Sequence, residues 1–327
     1  MKPFRKSLTI DVRRLRVLRE LQVRSTIGAT ARALSLTPSA ISQQIATLSR
    51  DVGVPLLVPH GRGVRLTAQA QLLLEHATLI DAQLERARAD LVAMDSGAIG
   101  RFVIGAFATA ISGIVAPALV RLARERPGIH LSVEEIEAPE CFTRLDRGDL
   151  DLVITVDYRS APHRYDARFQ REELLDDPLL LAVPRNHPQA LRRSIDLRAL
   201  AKERWILGAA QGPCREAALA ACAAAGFNPD VIHRVNDWSA LVRLVAAGCG
   251  VGLIPHLGVG ASPVREVAIR PLAGRSRPSR HLYAAVRAGA ERSPALAHVL
   301  AVLGATAHER ALNLRTFGAR VPRSRGS

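Results

Sequence analysis

Apolar residues near the amino end recur with a helical period: Val12, Leu15, Val17, Leu18 and Leu21, with Arg13, Arg14, Arg16 and Arg19 between them. This spacing predicts a first amphipathic helix. A short, Ala-rich second helix is expected over about Ile27 to Leu34, followed by a brief turn at Ser35-Leu36. Thr37-Pro38 then opens a third helix, because Thr accepts free amide protons as an N-cap and Pro in the first position loses no hydrogen bond there. Ala40, Ile41, Ile45 and Leu48 mark its buried side, and Gly53 suits a left-handed end. Beyond it, Val54 to Val58 and Val64 to Leu66 predict two strands with Gly61-Arg62-Gly63 at their turn. Three helices with a tight turn before the last, then a hairpin, make a helix-turn-helix with a wing.

The period changes at Thr67. Apolar residues now fall at Ala70, Leu73, Ala77, Ile80, Leu84, Ala87, Leu91 and Met94 in alternating steps of three and four. That is the a/d seam of a coiled coil, and a seam of this length asks for a partner helix. At about 1.5 Å per residue the rod would run roughly 40 Å, long enough to hold two heads apart. Leu73, Ala77, Ile80, Leu84, Ala87 and Leu91 are the expected contacts of a homodimer, and Asp95-Ser96-Gly97 is the expected end of the rod.

From Arg101 the pattern alternates. Apolar runs at Arg101–Ala106, Ile129–Ile136 and Leu150–Val156 are separated by helical stretches at Ile111–Glu125 and Cys141–Asp146. This βαβαβ order predicts a mainly parallel sheet. The second half repeats the logic, with strands at Glu173–Leu175, Leu179–Val183, Trp205–Leu207 and Val251–Ile254 and helices at Arg215–Ala225 and Trp238–Ala247. Val267–Arg270 and His281–Arg287 read as strands returning to the first half, before a last helix at Ala295–Ala307. The fold class is therefore α/β with a helical head. Residues 10–66 form the head, 67–96 the rod, 97–305 a two-lobed body and 306–327 a basic tail expected to be disordered.

Charge sharpens this division. The chain has 327 residues and a formal charge of +15, favouring a polyanionic partner. Residues 1–70 hold twelve Lys and Arg against three Asp and Glu, whereas 71–100 hold two against five. The basic excess thus lies on the head, as in a nucleic-acid-binding module. Its third helix has a peculiarity: Ser39, Ser42, Gln43 and Gln44 stand together where a solvated helix usually carries Glu and Lys. Hydroxyls and amides offer donors and acceptors without fixed charge, which is what reading base edges in a major groove requires. Thr37, Pro38, Ser39, Ser42, Gln43 and Gln44 are the candidate reading residues. Arg62 at the wing tip and Arg65 behind it are candidates for minor-groove or phosphate contact.

Enzymatic signatures are missing: there is no G-x-S-x-G, no H-E-x-x-H, no P-loop and no pair of His or Cys at metal-ligand spacing. No catalytic residue, metal or cofactor is expected. Gly248-Cys-Gly-Val-Gly252 follows a helix and enters a strand, the reverse of the dinucleotide-binding order, so tight strand packing is the better reading. The four cysteines, Cys141, Cys214, Cys222 and Cys249, show no C-x-x-C pair, which fits a reduced, cytoplasmic setting and buried small side chains rather than redox sensors. Neither a signal peptide nor a membrane-spanning apolar run is expected.

Residues 10–70, above all ALSLTPSAISQQIATLSRDVGVPLL followed by GRGVRLT, resemble the winged helix-turn-helix of LysR-type transcriptional regulators. The order of head, linker helix and α/β body is similar too, over about residues 10 to 305. The resemblance implies a sequence-specific DNA-binding transcriptional regulator, responding to a small-molecule effector and assembling as a homodimer or homotetramer. Base contacts would fall on Pro38, Ser39, Ser42 and Gln43. The segment here is Thr-Pro-Ser-Ala where the family often has Ser-Gln-Pro-Ala, and Gln43 stands where Arg is frequent, so no operator sequence carries over.

The resemblance also implies a body like periplasmic binding proteins, its lobes crossed near Ser160–Arg168 and Ala268–Leu272. Ligands of such lobes sit at strand C-termini, against helix amino ends. Thr109, Ala110 and Ser112 are the candidates on the first lobe, although Thr109 also fits as a simple helix cap. Gly208, Gln211 and Gly212 are the candidates on the second, although the glycines also fit a plain turn. Asp157, with Tyr158, ends a strand facing the same cleft, and Trp238 could line it. The effector expected is a small molecule, acidic or an amino acid. The competing reading is a solute-binding or catalytic α/β protein that carries a basic head.

Overall fold

The computed structural model describes residues 10–317 apart from 62, 95–99, 158–160, 209–211, 260–263 and 275–276. The chain separates into two compact units, one up to Ala87 and one from Arg88.

In the first unit, α1 (Val12–Arg24) starts on Asp11, whose carboxylate accepts the Arg13 amide proton at 2.9 Å, and closes at Ser25 in the left-handed region. It thus contains all five apolar positions of the expected helical period. The Thr26 hydroxyl caps α2 (Ile27–Ala33), and Thr37 caps α3 (Pro38–Val52) by accepting from the Ala40 amide at 3.2 Å. Gly53, at φ 77°, ends α3 as its position predicted. Leu15, Leu18, Leu21, Ile41, Ile45 and Leu48 interlock in one core, which Leu56, Ala70, Leu74 and Ala77 complete. Burying a side chain of this size contributes about 1.5–3 kcal/mol.

The wing is a hairpin of two four-residue strands, β1 (Leu57–His60) and β2 (Gly63–Leu66), with Leu57 opposite Leu66. Its first strand begins three residues later than expected: Pro55 has no amide proton for a ladder, and its carbonyl instead accepts from the Thr67 hydroxyl at 2.9 Å. That same hydroxyl accepts the Ala70 amide proton at the start of α4 (Ala68–Met94), the 27-residue rod.

The second unit holds two lobes on one continuous sheet. Lobe one has β3 (Gly100–Ala106) between and parallel to β4 (Ile129–Glu135) and β5 (Leu152–Val156). Its first helical stretch comprises α5 (Ala108–Ala110), a π turn (Ile111–Val115) and α6 (Ala116–Glu125); α7 (Glu140–Arg147) lies on the other face. Two strands pass between lobes, β6 (Phe169–Pro184) and β11 (Ser279–Arg287). Lobe two has β7 (Arg204–Leu207) parallel to β8 (Asp230–Arg234) and β9 (Val251–Pro255), with α8 (Pro213–Ala224), α9 (Trp238–Ala246) and β10 (Val267–Arg270). The sheet order is β4-β3-β5-β11-β6-β9-β7-β8, and β10 pairs with β6. The chain returns to lobe one as α10 (Pro294–Phe317).

The crossings differ from expectation. The two short strands expected at 173–175 and 179–183 are one 16-residue strand: β6 pairs with β11 up to Pro178 and with β9 from Leu179, so the first crossing lies inside it. The return falls between β10 and β11, after Arg270. Charges at Glu172-Glu173 and Asp176-Asp177 break the apolar pattern, yet β11 offers partners: Arg280 to Asp177, and His281 to Asp176 and Glu173. The carboxyl end is also corrected. Residues 306–317, expected to be disordered, continue α10, with Thr306 and Ala307 buried. Residues 318–327 lie outside the described residues.

Gly250 explains the glycine loop. Its φ is +151°, and a Cβ there would stand 2.6 Å from the Arg204 carbonyl oxygen. The loop serves close strand approach, as the order of helix and strand predicted. Among the described residues no helix is long and apolar enough to cross a membrane, and no cluster of His, Cys, Asp and Glu could hold a metal ion.

Candidate nucleic-acid interface and ligand cleft

On α3 the buried residues Ile41, Ile45 and Leu48 leave Pro38, Ser39, Ser42 and Gln43 exposed on the opposite face, with Gln44 half-buried at its edge. Thr37 and Ser39 share a hydroxyl–hydroxyl hydrogen bond of 2.9 Å. Ser42 donates to the Pro38 carbonyl at 3.1 Å, which satisfies its proton and leaves its oxygen free to accept. The exposed face carries no charge until Arg50, about two turns beyond Gln43, a residue the sequence reading passed over, as it did Ala46 between. Arg65 is exposed on the wing opposite Val58. Arg62 lies outside the described residues.

Not all of the head's basic charge is available to a partner. Arg14 pairs with Asp51 at 2.6 Å, and Arg19, nine-tenths buried, pairs with Asp81 of α4 at 2.5 Å. Arg13, Arg16, Arg32 and Arg50 remain exposed.

The rod's seam is divided. Leu73 packs on the head's own core and Ala77 is 1 % exposed there, so these two expected dimer contacts are covered within one chain. Ile80, Leu84, Ala87 and Leu91 are exposed, and Leu72 and Leu79 join them at 56 % and 64 % exposure. The exposed apolar stripe is thus displaced by one position at its start.

Between the lobes lies a cleft of about 540 Å³. Phe107, Thr109, Thr155, Glu135 and Glu137 line it from lobe one, and Gly208, Gly212, Cys214, Arg215, Asn236 and Trp238 from lobe two. Thr109, Gly208, Gly212 and Trp238 were expected there. Ala110 is fully buried below the surface, and Ser112 turns its hydroxyl back to the Ala108 and Thr109 carbonyls. Asp157 pairs with Arg171 at 3.3 Å and does not line the cleft. Gln211 and Tyr158 lie outside the described residues.

Arg280, which the sequence reading missed, stands at the centre. Its Nε donates to Asp177 Oδ2 at 2.8 Å, with Nη2 in ion-pair contact at 2.7 Å from the same oxygen; Nη2 donates to the Thr109 hydroxyl at 2.6 Å, and the guanidinium lies 4.7 Å over the Phe107 ring. Asp177, with no exposure at all, accepts the Leu257 amide proton through its other oxygen at 3.1 Å. One buried ion pair on β6 and β11 therefore ties together the start of the lobe-one helix and the end of β9. Among the described residues Nη1 faces only the Cys214 sulfur, at 3.9 Å.

Cys214 is not a primed nucleophile, because burial pushes its thiol pKa up against the lowering pull of Arg280. Burial likewise raises Cys141 and Cys222 to about 11.

Two family models match. One, described as "LysR substrate binding domain", covers residues 95–307, and the other, "Bacterial regulatory helix-turn-helix protein, lysR family", covers 12–71. The Escherichia coli transcriptional regulator MetR is 28% identical over 287 residues, 87% of each chain. A cysteine mutant of Corynebacterium glutamicum OxyR has a similar fold, with a TM-score of 0.60 at 20% identity over 96% of this chain and 97% of that one. So does full-length CbnR in complex with its target DNA, with a TM-score of 0.54 at 21% identity over 91% of this chain and 100% of that one.

Proposed function

The chain belongs to the LysR family, DNA-binding transcriptional regulators with an effector-binding domain, and from that premise we propose how its own residues divide the work. Ser39, Ser42 and Gln43 read base edges from the exposed face of α3, Thr37 and Pro38 set the helix start against the duplex, and Arg65 with Arg62 anchors the wing to the backbone. Gln44, half-buried, supports the face from its edge. Two copies pair along the exposed stripe of α4 through Ile80, Leu84 and Leu91, presenting two reading faces to one operator in the cytoplasm. The effector occupies the cleft against Thr109, Gly208, Gly212 and Arg280.

The observation that carries this reading is the uncharged, exposed Pro38–Ser39–Ser42–Gln43 face on an otherwise basic head. Amide and hydroxyl groups distinguish base pairs, whereas the exposed arginines of the head hold any duplex. A ligand alters the outcome only by binding one arrangement of the lobes better than another. The pair Arg280–Asp177 gives it a route, since a group that competes for Arg280 or Thr109 acts on the contacts crossing the lobes.

Binding to the chain's own upstream DNA tests the reading. Gln43→Ala is expected to lose about 1–3 kcal/mol of discrimination at one base pair while non-specific affinity stays. Arg65→Ala should weaken all duplexes alike and flatten the salt dependence. Unchanged discrimination in the first and unchanged salt slope in the second would reject the division of roles.

A further inference from the structure

The charges around the cleft do not balance in favour of a purely acidic ligand. Arg280 is the most buried cation of the wall, yet Asp177 behind it already neutralises it. Arg215 spends one guanidinium nitrogen on the Gly208 carbonyl at 2.6 Å, which leaves its charge on the rim. Asp237 caps α9, accepting from the Ala240 amide at 2.7 Å. Facing these, Glu135 and Glu137 line the lobe-one wall, and neither carboxylate has an ion-pair partner among the described residues. Their neighbour Glu134 is committed to Arg144 at 2.5 Å.

The polar groups that remain sort by sign. On one side are donors: Arg280 Nη1, whose one hydrogen-bond partner among the described residues is a sulfur, and the Thr109 hydroxyl, which accepts from Arg280 and so has its proton free. With them stands the amino end of the twelve-residue α8, where Gly212 supplies no side-chain cap for the amides that follow Pro213. On the other side are only acceptors, the carboxylates of Glu135 and Glu137. Glu137 and Cys214 line the same cleft from its two walls. A dicarboxylate would satisfy the donors but meet two uncompensated negative charges, and a diamine would do the reverse.

We propose that the effector is a small zwitterion, an L-amino acid or a derivative that keeps both its free amine and its free carboxylate. The carboxylate lies against Arg280 Nη1, Thr109 and the amino end of α8, and the ammonium lies against Glu135 and Glu137. This rests on the cleft being the effector site, as argued above.

The test uses the full chain. Thermal unfolding is followed with each of the twenty common L-amino acids, with succinate, 2-oxoglutarate and putrescine as single-sign probes, and with an ultrafiltered small-molecule extract of bacterial cells. At least one amino acid should stabilise the protein, and isothermal titration should show its affinity falling about tenfold or more when its amine is acetylated or its carboxylate esterified, the size expected for losing one charged hydrogen-bonding group. Glu135→Gln and Glu137→Gln, both on exposed side chains, should weaken the amino acid and strengthen succinate. Stabilisation by single-sign probes that equals the best amino acid, or that ignores both substitutions, overturns the zwitterion. If the extract then still stabilises wild type but not Thr109→Val, the cleft survives as the effector site with a different ligand. No effect from amino acids or extract overturns both.

Discussion

The pair Asp177–Arg280 should behave as a structural unit whose halves are far costlier to remove singly than together. Asp177 has no exposed surface and Arg280 has 7 %, so deleting either partner leaves a charge in the interior with nothing to compensate it. Breaking a buried pair in this way costs about 3–5 kcal/mol. Asp177→Asn keeps an oxygen for the Leu257 amide but abandons the guanidinium; Arg280→Met keeps most of the side-chain volume but abandons the carboxylate. In a unit of this size each kcal/mol lowers Tm by roughly 2–4 °C, so each single change should lower it by about 6–20 °C. The double substitution removes both charges and should cost only about 1–3 kcal/mol, mostly for hydrogen bonds left unmade. Both tryptophans, Trp205 and Trp238, lie in this unit, and Trp205 is fully buried, so fluorescence follows its unfolding separately from the head. Urea titrations of the four proteins close a double-mutant cycle. If the double variant is as unstable as the sum of the singles, or the singles stay within about 1 kcal/mol of wild type, the pair is not a buried structural tie.

Three further outcomes follow from the geometry. Leu84→Glu places a charge in the middle of the exposed stripe of α4 and should convert a dimer to monomer in sedimentation; an unchanged sedimentation coefficient would reject that stripe as the seam. His281 gains a proton-holding environment on folding: hydrogen bonds to Asp176 and then Glu173 raise its pKa above 6.5 against the opposing effect of burial. Its contribution is therefore full below about pH 6.5 and is lost as pH rises through the folded value, so the gap in Tm between wild type and His281→Asn should be widest near pH 6 and close at alkaline pH; a gap that widens upward would contradict the sign. Cys214, its thiol raised by burial, should be alkylated by iodoacetamide at pH 8 more slowly than a free cysteine, as read peptide by peptide in a mass spectrometer; a faster rate would mean an activated thiolate.

The head was legible because its signals are local. Thr37-Pro38, Gly53 and the apolar set Ile41, Ile45 and Leu48 fix a helix with one wet face, and the structure has that helix between those residues. The rod was legible in extent but not in phase, since periodicity reports that a side is apolar and not which surface covers it. Leu73 and Ala77 satisfy the same spacing as Leu84 and Leu91, yet the first pair is covered by the head's core while the second is exposed among the described residues. In the body, turns after strands pointed to Thr109, Gly208 and Gly212. Arg280 and Asp177 escaped notice because a charge inside a strand reads as a solvent-facing position, and only the pairing of β6 with β11 brings these two into register 103 residues apart. Glu135 and Glu137 escaped for a similar reason, being acidic residues at the end of an edge strand.

The ion pair of Arg19 with Asp81, together with Ala77 beneath it, fastens the first half of α4 to the head so that the two turn as one piece. A residue inserted between Asp81 and Leu84 would then swing everything beyond it by about 100° around the axis while advancing it only about 1.5 Å. Lengthening this stretch one residue at a time should therefore scramble operator geometry, whereas additions of seven residues should return the azimuth nearly to its start and merely shift the footprint.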